Sequence, residues 1–285
     1  MTESKHLVVI SCENWYYHGW QAQVATYSCL KRQRVAPMIV VHGGYEEGLT
    51  GEFLACREAG ALVVPSKNYR GEGSREWAAR NTAASLLDGY HKGKQLGATH
   101  IVLMDPDMVW TRKVSWPTTL AVDRCPNDLR GGLAARIADD LGLDLGDDPN
   151  HTWGARVPYV IPIEIAKDLG EVWWQIMDLF CDLPGWEWSD QMRAFALALA
   201  VVGKKPQRLK LTQTNWEYEA PVEAPLIHYA YEYRTWYKKW FTDPADASVL
   251  WNPARIPPSY VQGWIHREIV CAHAFFTALE KVAAA

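Results

Sequence analysis

Between positions 7 and 107 the chain alternates short, wholly apolar runs with longer amphipathic stretches. This is the pattern of strands buried on both faces and joined by helices that cover a largely parallel sheet. The spacing predicts a first strand over 7–11, a helix over 20–31 and a second strand over 37–41 closed by Gly43-Gly44. A helix near 50–59 and a third strand over 61–64, stopped by Pro65, come next. Ser74 reads as the N-cap of a helix running to about residue 95, with Glu76 and Trp77 in its first turn and Gly97 at its end. The most apolar run, Thr99-His100-Ile101-Val102-Leu103-Met104, then delivers Asp105-Pro106-Asp107.

Past Trp116-Pro117 the alternation lapses, and residues 123–152, rich in Gly, Pro and Asp, read as an inserted loop with one short helix around 129–141. Its acidic group, Asp139, Asp140, Asp144, Asp147 and Asp148, lacks the spacing and closing Glu of an EF-hand and reads as a solvated face. The pattern resumes with a strand over 156–162, a helix over 164–180, a helix over 190–202 capped by Ser189, a short apolar run over 226–229 and a helix over 265–282.

In open α/β sheets ligands bind beyond the carboxyl ends of the strands. Two carboxylates one residue apart at that place suit Mg²⁺ or Mn²⁺, which take one or two protein carboxylates and complete their shell with water and substrate phosphates. The competing reading of Asp-Pro-Asp is a turn that ends the strand.

Composition narrows the classes. The 285 residues, 48% of them apolar, are enough for one large domain or two small ones. Six cysteines without a C-x-x-C pair suggest neither a zinc knuckle nor a disulfide framework, and fit a reducing compartment. The N-terminal apolar run is too short for a signal sequence or a membrane span, so a cytoplasmic protein without membrane association is expected. A net charge of −4 gives no global attraction to nucleic acid. Of fifteen tryptophans, ten lie at or after Trp153. They read first as core and second as platforms for a planar base or a sugar face.

With the Asp105-Pro106-Asp107 strand, the later Gly154-Ala155-Arg156-Val157-Pro158-Tyr159 strand, the helix start at Gly185-Trp186-Glu187-Trp188-Ser189-Asp190-Gln191 and Ile227-His228-Tyr229, the chain resembles the nucleotide-sugar glycosyltransferases of GT-A fold. The order of motifs is similar to that of the plant hydroxyproline O-arabinosyltransferases and peptidyl-serine galactosyltransferases, over most of residues 7–230. The resemblance implies an α/β fold of GT-A (Rossmann-like) type, with a mixed, mostly parallel sheet flanked by helices. It implies one GT-A-like domain over 1–285, with a nucleotide-sugar half (1–115), an acceptor and catalytic half (116–240) and a helical closure (241–285).

The resemblance also implies site residues. Asp105, Asp107 and His228 would hold Mn²⁺ or Mg²⁺, with Asp105 also touching the ribose of a UDP-sugar. Ser11, Cys12, Glu13, Pro65 and Ser66 match the positions that hold uracil and ribose, and Arg80 and Asn81 those that meet the donor phosphate or sugar. Glu187 or Asp190 would lie beneath the sugar, where a carboxylate binds hydroxyls, stabilises positive charge or accepts the acceptor proton. Each has a plainer reading: a helix face for Arg80 and Asn81, a dipole partner for Asp190, a core histidine for His228. The implied reaction is metal-dependent glycosyl transfer to a hydroxyl, with retention.

The acceptor is open. Lys204, Lys205, Arg208 and Lys210, with Arg234, Lys238 and Lys239 among Trp236, Tyr237 and Trp240, fit either a solvated face or a basic aromatic surface for DNA carrying hydroxymethylated bases, the substrate of bacteriophage DNA glycosyltransferases. Peptide and small-molecule hydroxyls are the other acceptor classes. Two further readings stand beside the transferase: a sugar- or nucleic-acid-binding module without catalysis, and a metal-dependent phosphohydrolase.

Overall fold

A computed structural model describes residues 5–71, 76–124, 127–214, 217, 219–230, 238–242 and 259–283, with Glu46, Glu47 and Trp240 described in backbone only. The strands are β1 (His6–Glu13), β2 (Met38–His42), β3 (Leu62–Ser66), β4 (His100–Met104), β5 (Met108–Trp110), β6 (Ala121–Arg124), β7 (Ala155–Pro162), β8 (Gln207–Leu209), β9 (Thr212–Thr214) and β10 (Leu226–His228). The helices are α1 (Tyr16–Ser28), α2 (Gly44–Glu47), α3 (Gly51–Glu58), α4 (Arg80–Leu96), α5 (Gly132–Asp140), α6 (Pro149–Thr152), α7 (Ile163–Cys181), α8 (Asp190–Val202) and α9 (Val261–Ala283).

Among the described residues, seven strands form one sheet in the order β3-β2-β1-β4-β7-β6-β8, and three form a second in the order β5-β10-β9. The large sheet is mixed and mostly parallel. The pairs β1–β4, β2–β3 and β6–β8 run parallel, and β7 is antiparallel to both of its neighbours. With its flanking helices it is the α/β sheet expected of a Rossmann-like glycosyltransferase fold.

The chain forms two compact units, each built from three stretches. The first comprises Met1–Ser11, Asn68–Met104 and Trp116–Lys210. Within it β4 is wholly buried, and α4 lies close on the sheet because Gly89 brings its backbone near Val9. Tyr159 stacks on Phe195 at 3.8 Å, and Trp173 meets both edge-on, so this unit's core is aromatic. The second unit comprises Cys12–Lys67, Asp105–Ser115 and Leu211–Ala285. Its core joins Trp20 and Val24 of α1, Val109 of β5, Ile227 of β10, Tyr229, Phe241 and the apolar face of α9.

Three details of the sequence reading change. Pro65 does not stop the third strand but lies inside β3, whose place at the sheet edge makes a missing N–H tolerable. Ser74 lies outside the described residues, and α4 begins only at Arg80, preceded by tight turns from Trp77, Ala78 and Ala79. Trp77 is therefore not in its first turn. Its ring is buried against Phe180 and Trp186 instead. Ser189 stands at the N-cap position of α8 without capping it, because its own backbone is already helical.

The tryptophans divide. Trp20, Trp77, Trp110, Trp153 and Trp173 are buried, whereas Trp15 and Trp188 are exposed. Cys12, Cys29, Cys56, Cys181 and Cys271 are all free thiols. No helix among the described residues is long and apolar enough to cross a membrane.

Candidate metal centre

The second unit brings Asp105, Asp107 and His228 together. After β4 the chain turns through Asp105-Pro106-Asp107 into β5, which enters the small sheet. There β10 runs antiparallel to β5 with His228 opposite Met108, and the Tyr229 N–H donates to the Asp107 carbonyl at 3.0 Å. That register sets the imidazole against the carboxylates. His228 Nε2 lies 3.2 Å from Asp107 Oδ1 and 3.9 Å from Asp105 Oδ2. One ligand atom from each of the three residues can be chosen so that all lie within 4.8 Å of one another.

These residues fit a divalent cation. Two ligands of one octahedral ion at about 2.1 Å lie about 3 Å apart when adjacent and about 4.2 Å apart when opposite, which is the scale of this cluster. Asp107 Oδ1 is buried and faces only the His228 ring among the described side chains within ion-pair distance, so this carboxylate oxygen has room for a cation between it and the imidazole's other neighbour, Asp105. Two carboxylates and an imidazole form a donor set for a divalent metal ion.

A fourth group, Lys238, completes the electrostatics. Its ammonium forms an ion pair with Asp107 Oδ2. Burial alone would push the Asp107 carboxyl up, but the Lys238 and His228 charges hold it well below the usual carboxylate range. Asp105, whose contact with His228 is longer at 3.9 Å, is pushed up to about 6 by burial and by the neighbouring Asp107, against the pull of His228 and Lys238. Burial would lower the Lys238 ammonium, yet Asp107 raises it. Lys238 appeared in the sequence only as part of a basic surface. No local signal marks a lysine whose partner lies so far back in the chain.

The other expected site residues have defined local partners. Cys12 is buried, and its thiol is pushed up by burial and by Cys56, Asp105 and Asp107. The Glu13 N–H donates to His18 Nδ1, and Glu13 itself is buried. Pro65 and Ser66 pair with Val41 and His42, and the Ser66 carbonyl accepts from the Gly43 N–H at 2.9 Å. Gly43 takes a φ of 88° there, a turn that glycine makes without strain. In the first unit, Ser11 accepts a hydrogen bond from Ser85 at 2.9 Å. Asn81 is buried and ties down the segment before α4, accepting from the Tyr69 N–H and donating to Asn68 Oδ1. Arg80 pairs with Asp178 at 2.6 Å and lies over the Trp174 ring at 4.8 Å.

The two carboxylates at the start of α8 differ in kind. Asp190 has a buried side chain that accepts from the Glu187 N–H at 2.7 Å and from Arg193 at 2.6 Å, so it fixes the turn into the helix. Glu187, with a side chain 72% exposed, is the freer group. On the basic surface, Arg208 donates to the carbonyls of Gly154 and His151, and Lys205 lies 5.8 Å from the centre of the Trp153 ring. Arg234, Trp236 and Tyr237 lie outside the described residues.

No family profile matches the chain, and no curated protein is similar to it at a significant level. Among solved structures, the apo structure of the bifunctional glycosyltransferase WbbM has a similar fold, with a TM-score of 0.52 and 14% identity. The match covers 99% of this chain and 52% of the WbbM chain, so this chain spans about half the length of that protein. The likeness shows a glycosyltransferase fold.

Proposed function

We propose that the chain is a metal-dependent glycosyltransferase that moves a sugar from a UDP-sugar to a hydroxyl acceptor with retention of anomeric configuration. The observation that carries this reading is the Asp105-Asp107-His228 cluster in a chain of glycosyltransferase fold. A divalent ion bound there supplies Lewis-acid neutralisation of the negative charge that grows on the departing diphosphate, an effect commonly worth several kcal/mol. Asp105 and Asp107 provide the hard oxygen ligands, and the small sheet holds the His228 ring in place.

Ser11, Cys12, Glu13, Pro65 and Ser66 are assigned to the uracil and ribose, and Arg80 and Asn81 to the donor's phosphate and sugar, by the resemblance to the GT-A enzymes. Glu187 is the carboxylate best suited to the sugar or the acceptor proton, because Asp190 is already committed to the helix start. For the acceptor, hydroxymethylated DNA is the class favoured by the basic residues around Lys204, Lys205 and Lys210, with peptide and small-molecule hydroxyls as the alternatives. The plant-type enzymes and the phage-type DNA glycosyltransferases are the two groups to compare in activity.

The test is UDP release from a panel of UDP-sugars with Mn²⁺, with and without hydroxymethylated DNA, for the wild type and Asp107→Ala. Metal-dependent release that is lost in the variant supports the donor chemistry, and stimulation by DNA identifies the acceptor. Donor binding without release in any combination would favour a binding module, and phosphate release without sugar transfer a phosphohydrolase.

A further inference from the structure

Lys238 carries an inference that rests on the metal-site reading and deepens it. Asp107 is buried, with His228 facing Oδ1 and the Lys238 ammonium on Oδ2. A pocket that buries one carboxylate and leaves its neighbour Asp105 only 19% exposed needs a cation, since buried charges persist only when paired. In the structure that cation belongs to the protein. A divalent ion on Asp107 would stand within a carboxylate's width of the ammonium, and two cations at that separation repel strongly at the dielectric of a protein interior.

The chain that follows the lysine is held in place. Lys238 opens the short 3-10 turn Lys238–Trp240, and the Phe241 N–H donates to the Lys238 carbonyl at 3.1 Å. Phe241 is buried in the apolar core of its unit, and its carbonyl accepts from Trp20 Nε1 at 3.0 Å. The chain is thus anchored at Phe241, while the flexible four-carbon stem can carry the ammonium between positions.

We propose that Lys238 is an internal stand-in for the metal. Its ammonium neutralises Asp107 in the unloaded site and is released when a divalent cation takes that carboxylate. Lys238 is in this scheme a positioning residue for metal loading. It makes loading an exchange of one cation for another, so an empty site never leaves both carboxylates uncompensated.

The test uses the full chain without donor. Lysine acetylation footprinting with and without Mn²⁺ is expected to show Lys238 protected in the metal-free protein and several-fold more reactive with Mn²⁺, while the exposed Lys94 of α4 reacts equally in both. Mn²⁺ binding followed by electron paramagnetic resonance is expected to be about tenfold tighter or more in Lys238→Met, which has no ammonium to expel. The wild-type footprint stands by itself if that variant does not fold. Unchanged Lys238 reactivity while Mn²⁺ binds, affinity in Lys238→Met no tighter than wild type, or no Mn²⁺ binding by the wild type would each overturn the exchange. Failure of the transferase reading is separate: it is seen as no UDP release from a protein that binds Mn²⁺ and frees Lys238.

Discussion

His228 Nε2 sits 3.2 Å from Asp107 Oδ1 because a backbone register puts it there: His228 pairs with Met108, the residue after Asp107, across an antiparallel ladder. The imidazole is carried on a strand whose side chains are buried. Replacing His228 with Ala should weaken Mn²⁺ binding by at least about tenfold, since even groups that only support metal ligands are commonly worth 10- to 100-fold. Asp107→Ala should lose binding altogether, and UDP release should fall in the same order. Titration calorimetry with Mn²⁺ checks the first point, and a retained wild-type affinity in both variants would remove these residues from the metal shell.

Metal affinity should depend on pH through Asp105. Its carboxyl is pushed up to about 6 in the metal-free protein, and only the ionised form binds a cation. Above pH 7 the group is already a carboxylate, and affinity should be nearly flat with respect to this residue. Below about 6 a proton must leave for each ion bound, so affinity should fall by about tenfold per pH unit. Mn²⁺ titrations from pH 5 to 7.5 test the slope, and Asp105→Asn should make it shallower, leaving the part that comes from His228 as a ligand.

The two carboxylates before α8 should separate by phenotype. Asp190→Ala removes a buried acceptor of two hydrogen bonds, one of them from Arg193, and should cost about 1–3 kcal/mol of stability. Glu187→Gln alters an exposed side chain and should leave stability within about 0.5 kcal/mol while slowing sugar transfer. Urea unfolding and single-turnover assays on the same preparations distinguish them. A Glu187→Gln enzyme with full transfer rate would return the catalytic role to another group.

Packing in the second unit offers a test independent of function. A Cβ added at Gly19 of α1 would come 2.7 Å from Glu52 Cβ of α3, the first carbon of a side chain, which moves only with its backbone. Gly19→Ala should therefore lose about 1–3 kcal/mol to overpacking, more than the roughly 1 kcal/mol that alanine gains in a helix. Gly51→Ala at the start of α3 meets nothing within 4 Å and should be neutral or stabilising. Chemical denaturation of the two variants gives the comparison.

Much of this molecule is legible from local pattern. The alternation of apolar runs and amphipathic stretches located the strands of the large sheet from β1 to β4 and β7 and the long helices α4, α7 and α8 to within a few residues, Ser74 and the start of α4 excepted, because burial on both faces or one face imposes a period that the chain itself carries. Asp105 and Asp107 stood out for the same reason, at the end of the most apolar run. Tertiary structure decided what no period encodes. The short strands β5, β9 and β10 exist by pairing with one another, and their register alone brings His228 to the carboxylates. Edge position let Pro65 remain in a strand. Spatial partners gave Asp190 to Arg193 and the turn into α8, and gave Lys238 to Asp107. The physical reason is common to all of these. Secondary structure follows from hydrogen bonds and burial repeated along the chain, whereas a charge finds its counter-charge by distance in space, and that distance is set only when the sheets have closed.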